Sequence, residues 1–395
     1  MTDALADTIT FGLDTFGDVT LDAAGAPITH AQVLRHVVDE AVLADQVGLA
    51  CFGVGEHHRA DFAISAPEVL LAAIAARTER IHLGSAVTVL STDDPIRVFQ
   101  RFSTLNAVSH GRAEVILGRG SFTESFPLFG FDLNHYHVLF EEKLDLFAQL
   151  VTNEPVTWSG RTRPPLEAQR VFPPIEHGRL TTWVGVGGSP ESVLRAARHD
   201  LPLTLAIIGG SASRFVPFAD LYRRAQAELG HTEKPIAVHS PGHVASTDEE
   251  AREQLWPHYR DMMTRIGGER GWPPVTRAHF DREAGPDGAL YVGAPETVAT
   301  KIAATVRTLG LSRFDLKYSN GQLPHEACLR SIELYGTVVA PRVRALLRGC
   351  AAAVSGACRW RRATAPSRRR ADGSQTAWRG SRQCRRVRPA RGLLR

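Results

Sequence analysis

The sequence predicts an α/β chain folded as a TIM (β/α)8 barrel, and three observations carry that expectation. Eight short apolar runs alternate with helically spaced segments over about 340 of the 395 residues, the rhythm of a parallel sheet with crossover helices. No GxGxxG turn opens the chain, which argues against an open doubly wound sheet. Polar residues also gather where strands should end: Glu56-His57-His58, Ser91-Thr92, Arg119 and Gly188-Ser189. Sites in this fold collect at those ends.

In order, Ile9 to Leu13 is the first strand, and His30 to Val47 places Val33, Val37, Val38, Ala41 and Ala44 at helical spacing before Gly48 stops it. Cys51 to Gly55 is the second strand and Pro67 to Arg77 its amphipathic helix. Ile81 to Leu90 and Ile96 to Val108 form the third pair. Ala113 to Leu117 is the fourth strand, with Tyr136 to Val151 as its helix, apolar at Leu139, Phe140, Leu144, Phe147 and Leu150. Residues 152–180 carry Pro155, Pro164, Pro165, Pro173 and Pro174, which oppose a regular interior element, so an excursion lying over the barrel is expected there. The alternation resumes with strand Thr182 to Val186 and helix Glu191 to His199, then Leu203 to Ile208 with Ser213 to Leu229, and Ile236 to Val244 with Asp248 to Arg265. A Gly- and Pro-rich loop, Ile266 to Leu290, precedes the helix Pro295 to Leu309. Strand Phe314 to Tyr318 and helix Glu326 to Leu347 close the barrel.

Composition bounds the function. A hydrophobic fraction of 43% and a charged fraction of 22% are those of a globular protein, and no apolar run is long enough to span a bilayer. The N-terminus MTDALADTITFGLD has no basic-then-apolar pattern, so no signal peptide and a cytoplasmic location are expected. The net charge of +4 conceals an asymmetry: residues 350–395 hold 13 Arg and one acidic residue, leaving residues 1–349 with a net charge of −8. We therefore divide the chain into a barrel, 1–349, and an Arg-rich extension, 350–395. The extension has too little apolar surface to offset its ordering entropy and is expected to be disordered. Trp360 and Trp378 among its arginines fit nucleic-acid contacts, but nucleic acid is not an expected partner. Cys51 and Cys328 are the only cysteines before it, and no disulfide framework or metal spacing emerges.

The stretch VSHGRAEVILGRGSFTESFPLFGFD, Val108 to Asp132, is the most informative. Arg119 stands between Gly118 and Gly120 at a strand end, where a permanent cation with a fork of donors can meet a phosphate or an electron-rich ring. Gly188, Ser189 and Ser192 begin a helix, whose free N–H groups and dipole favour an anion, although Gly-Gly-Ser-Pro also reads as a plain loop and N-cap. Among 16 histidines, His57 follows an apolar strand beside Glu56 and His58. Adjacent histidines there point in different directions and no third ligand is apparent, so no metal is expected.

Several segments resemble the catalytic subunit of bacterial luciferase: Glu56-His57-His58, GSAVTVLSTDDPIRVFQ from Gly84, HGRAEVILGRG from His110, FGFDLNH from Phe129, and Val292 to Glu296. The chain thus resembles the luciferase-like flavin-dependent monooxygenases from about Ile9 to Leu347. The resemblance implies FMN, reduced by a separate flavin reductase, reacting with O2 through a flavin C4a-peroxide to oxidise a small organic substrate, in a homodimer. It implies His57 as the catalytic histidine, Glu56, Arg119, His137, Gly188, Ser189 and Ser192 around the flavin and its phosphate, and a cis peptide between Ala86 and Val87 beneath the ring. The sequence departs from luciferase at Gly118, Phe122 and His137, where the subunit has a cysteine, a tyrosine and a second phosphate-contacting arginine, so light emission is not implied. Two alternatives stay open: a deazaflavin (F420)-dependent dehydrogenase on the same barrel, and a non-catalytic flavin-binding protein.

Overall fold

The computed structural model describes residues 2–22, 24–120 and 122–349, so the reading of residues 350–395 as a disordered extension lies outside the described residues. Helix α1 (Thr2–Thr8) leads into β1 (Thr10–Thr15), followed by α2 (His30–Gln46), β2 (Cys51–Val54), α3 (Pro67–Ala75), β3 (His82–Val89), α4 (Pro95–Val108) and β4 (Ala113–Gly118). Next come α5 (Ser125–Phe129), α6 (Tyr136–Leu150), β5 (Val156–Trp158), β6 (Leu166–Gln169), β7 (Thr181–Val186), α7 (Pro190–Arg198), β8 (Leu203–Ala206) and α8 (Val216–Glu228). The chain continues through β9 (Ile236–Val244), α9 (Asp248–Glu269), α10 (Arg277–Ala284), β10 (Tyr291–Gly293), α11 (Pro295–Leu309), β11 (Arg313–Lys317) and α12 (His325–Leu334). A π-turn at Tyr335–Val339 carries the last helix on through 340–349.

Eight of the strands, β1, β2, β3, β4, β7, β8, β9 and β11, pair in parallel in that order, and β11 returns to β1. The molecule is therefore a closed TIM barrel, with its strands at the eight places the alternation predicts. Helix starts are fixed locally: Thr29, Asp94, Ser189 and Thr247 each accept a backbone N–H of the first turn, a cap worth about 1 kcal/mol. Outward strand residues such as Phe11, Leu13, Phe52, Val115, Leu205 and Phe314 are buried beneath the helices, each contributing roughly 1.5–3 kcal/mol.

Inside the barrel the sequence alternates glycine with charge. Gly12, Gly53 and Gly84 leave the room that Asp315, Asp14 and Glu114 fill, since a Cβ at any of them would collide with that carboxylate side chain. Arg313 donates to Glu114 at 2.5 Å and to both oxygens of Asp315 at 2.8 Å, forming a fully enclosed ionic plug. Such a plug is costly to break by removing one partner.

Three expectations change. The excursion holds a two-stranded antiparallel ribbon, β5 with β6, and it lies against the outside of α4 and α6 rather than over the barrel. Trp158 donates to Asp145, Glu142 accepts the N–H groups of Arg161 and Thr162, and Gln100 donates to the Phe172 carbonyl. The expected loop from Ile266 contains the end of α9 and all of α10, capped by Thr276; Gly267 and Gly268 did not stop α9. Finally, β10 adds to the outer half of β9 without entering the closed ring.

Candidate active site

The carboxyl end of β2 delivers Glu56, His57 and His58 into three different environments. Glu56 accepts the Val89 N–H at 2.8 Å and pairs with His58 Nε2 at 3.0 Å, so one oxygen ties the end of β2 to the end of β3 and the other holds the His58 ring. His57 points the other way, into an aromatic box of Phe16 (4.6 Å), Phe62 (4.7 Å) and Phe122 (5.3 Å between ring centroids). Its Nδ1 lies 3.7 Å from Glu124, which also accepts the His58 N–H at 3.4 Å. Burial raises the Glu124 carboxyl, but the nearby His57 ring and hydrogen bonds from backbone N–H groups outweigh it and hold the group below its ordinary range. Glu124 gave no signal in the sequence, because only the folded loop after β4 brings it beside His57.

A second cluster forms where β4 and α7 meet. Arg119 Nη2 donates to Ser192 Oγ at 3.3 Å, and Nη1 approaches His137 Nδ1 at 3.5 Å. The guanidinium lies 5.1 Å from the Tyr136 ring centre. Ser189 caps α7 through the Ser192 N–H at 3.2 Å, and its hydroxyl donates to Ser192 Oγ at 2.9 Å. Gly188 adopts φ +109°, a conformation closed to residues with side chains. Among the described residues no carboxylate pairs with Arg119. The structure thus brings Arg119, His137, Ser189 and Ser192 together, a donor set suited to an oxyanion such as a phosphate. Between this cluster and His57, the Ala86–Val87 peptide is cis, with Ala86 buried in the barrel wall beside Ile116 and Trp183.

Inside the mouth stands a pair that only barrel closure brings together. His239 on β9 and Asp14 on β1 are 225 residues apart, yet His239 Nδ1 is 2.6 Å from Asp14 Oδ2. Asp14 is fully buried, and among the described residues its other oxygen has no partner. Phe16 stacks on His239 at 6.0 Å and meets His57 on an edge.

A closed parallel barrel whose carboxyl face joins a histidine box to an oxyanion-binding donor set is the architecture of a TIM-barrel enzyme. Its particular kind follows from comparison with known proteins: residues 15–313 match the luciferase-like monooxygenase family, and the chain belongs to it. It is therefore an oxidoreductase. The chain is 29% identical over 327 residues to 4-hydroxyprotoasukamycin monooxygenase of Streptomyces nodosus subsp. asukaensis, covering 78% of this chain and 86% of that one. In fold it resembles the FMN-bound oxygenating constituent of 3,6-diketocamphane monooxygenase from Pseudomonas putida, with TM-score 0.69, 20% identity and coverage of 85% and 98%. It also resembles an F420-dependent secondary alcohol dehydrogenase, with TM-score 0.65, 16% identity and coverage of 85% and 99%.

Proposed function

We propose that this oxidoreductase is a flavin-dependent monooxygenase that takes reduced FMN and O2 and oxidises a small organic substrate. The observation that carries the reading is the Arg119 cluster: a guanidinium without a carboxylate partner, two serine hydroxyls and the start of α7 converge on one place. A doubly charged phosphate is the ligand whose charge and oxygens that set matches. Bound reduced FMN would supply the electrons and the reaction with O2. Arg119, Ser189 and Ser192 would hold its phosphate, His137 would add a donor, and the small Ala86 and Val87 would let a flat ring lie close to the strands. His57, boxed by three phenyl rings and steadied at Nδ1 by Glu124, would hold a proton at its other nitrogen and keep water from the reacting edge. A separate reductase would deliver the reduced FMN. The family name and the fold shared with an FMN-bound monooxygenase support this reading.

The fold shared with an F420-dependent dehydrogenase favours a second reading, hydride transfer with a deazaflavin. Titration of the purified chain with FMN, riboflavin and F420 separates the two. We expect FMN to bind about tenfold or more tightly than riboflavin, the loss of a charge-assisted contact. Tight F420 binding with weak FMN binding would overturn the monooxygenase reading, and binding of FMN without oxidation of any substrate would make the protein a flavin carrier. Equal affinity for FMN and riboflavin would remove the phosphate from the Arg119 cluster.

A further inference from the structure

The two histidines of the mouth are built alike. Each has Nδ1 beside a carboxylate, Glu124 at 3.7 Å for His57 and Asp14 at 2.6 Å for His239, and both lean on the Phe16 ring. Asp14 Oδ2 accepts from Nδ1–H of His239, which leaves Nε2 as the ring nitrogen able to accept when the imidazole is neutral and donate when it is protonated. Among the described residues nothing bonds to that Nε2. Asp14 is packed in turn, its carboxylate filling the space over Gly53 that a Cβ there would occupy. With Nδ1 spent on Asp14, Nε2 is the ring nitrogen left open to a ligand or to water. Phe16, stacked on His239, is continuous with Phe62 and Phe122 in one aromatic cluster.

We propose that His239, held by Asp14, is a second substrate-facing residue of the site, and that the substrate is a flat apolar molecule carrying a hydroxyl or carbonyl oxygen that meets Nε2. This rests on the proposed function for the place where substrate sits. The proton balance is simple: a proton given by Nε2 to the substrate oxygen leaves a neutral ring with Nδ1–H still on Asp14, and solvent restores it. The competing account is that the Asp14–His239 pair only fills the barrel. Asparagine separates them, since at position 239 its amide can keep a donor on Asp14 while offering nothing at Nε2; glutamine does the reverse.

The test uses the full chain without flavin and two probes of one shape, p-cresol and p-xylene, followed by saturation-transfer NMR. Wild-type protein should bind p-cresol about tenfold more tightly than p-xylene, the effect of one buried hydrogen bond to a titratable ring. His239→Asn should abolish that preference and His239→Gln should keep part of it. A wild-type protein without preference, or a His239→Asn protein that retains it, overturns the proposal. Should the asparagine variant fail to fold, the Nε2 resonance of His239 in 15N-labelled wild type decides: it must move with p-cresol and stay still with p-xylene. Because no flavin is present, a failure of FMN to bind in its own titration would overturn the cofactor reading and leave this result standing.

Discussion

Arg112 and Arg119 bracket one strand, β4, and are made for opposite work. Arg112, at the amino end, is buried and spends its guanidinium on five bonds, to the carbonyls of Ser109, Ile81, Ala75 and Thr78 and to the Thr78 hydroxyl. Burial pulls its pKa down against the opposing charges of Asp45 and Glu79, and no donor is left for a ligand. Arg119, at the carboxyl end, is half-buried and makes two long contacts, 3.3 Å to a serine and 3.5 Å to a histidine. The residue type is the same, and saturation of its donors decides the role. An arginine whose fork is filled by carbonyls holds a fold together, whereas one with spare donors at a strand end is available for chemistry.

The sharpest way to break that contrast is Arg112→Ala. Four carbonyls and a hydroxyl would lose their donor in a buried place, so we expect a loss of about 3 kcal/mol or more in urea denaturation. FMN affinity of the folded fraction should stay unchanged. A loss below about 1 kcal/mol would put both arginines in one class. At the other end, His57→Ala should leave FMN binding intact and slow productive oxidation by roughly a hundredfold, as for loss of a general acid–base group. Stopped-flow oxidation with peroxide assay measures it. Normal product yield would sink the assignment.

The two ends also differ in how far the sequence reveals them. Strand and helix positions were legible, because alternation of apolar runs with 3.6-residue spacing is a local signal, and Arg119 was legible because two glycines flank it in a strand-end turn. The ribbon β5–β6 was hidden by its prolines, and α10 by the glycines before it. Asp14 and His239 were hidden for a different reason. Each sits in an ordinary strand, and only closure of the barrel brings them within 2.6 Å. Glu124 depends likewise on a loop conformation, so its link to His57 cannot be read from spacing.

A smaller effect is expected from Arg119→Ala. It should weaken FMN binding by about 1.5–3 kcal/mol, the value of a charge-assisted bond to phosphate, and change the melting temperature little. Riboflavin affinity should hardly move. If the variant lost stability and kept FMN affinity, Arg119 would be a structural arginine like Arg112.

The least of these effects belongs to Glu124, which lies on the mouth side beside His57 and accepts the His58 N–H. Its carboxyl is raised by burial and lowered further by His57 and the backbone donors, ending below its ordinary value of 4.5. The unfolded chain therefore takes up this proton at a higher pH than the folded chain does. The stabilisation it contributes is complete above pH 4.5 and is lost as pH falls through the lower folded value. In Glu124→Gln that contribution is absent at every pH, so the variant should be less stable than wild type near neutrality and converge with it in acid. Denaturation curves on both sides of the ordinary carboxyl value measure this. Because His57 also loses its Nδ1 partner, productive oxidation should fall, though by less than in His57→Ala. A variant with an unchanged acid limb and full activity would show that the 3.7 Å approach to His57 carries neither stability nor orientation.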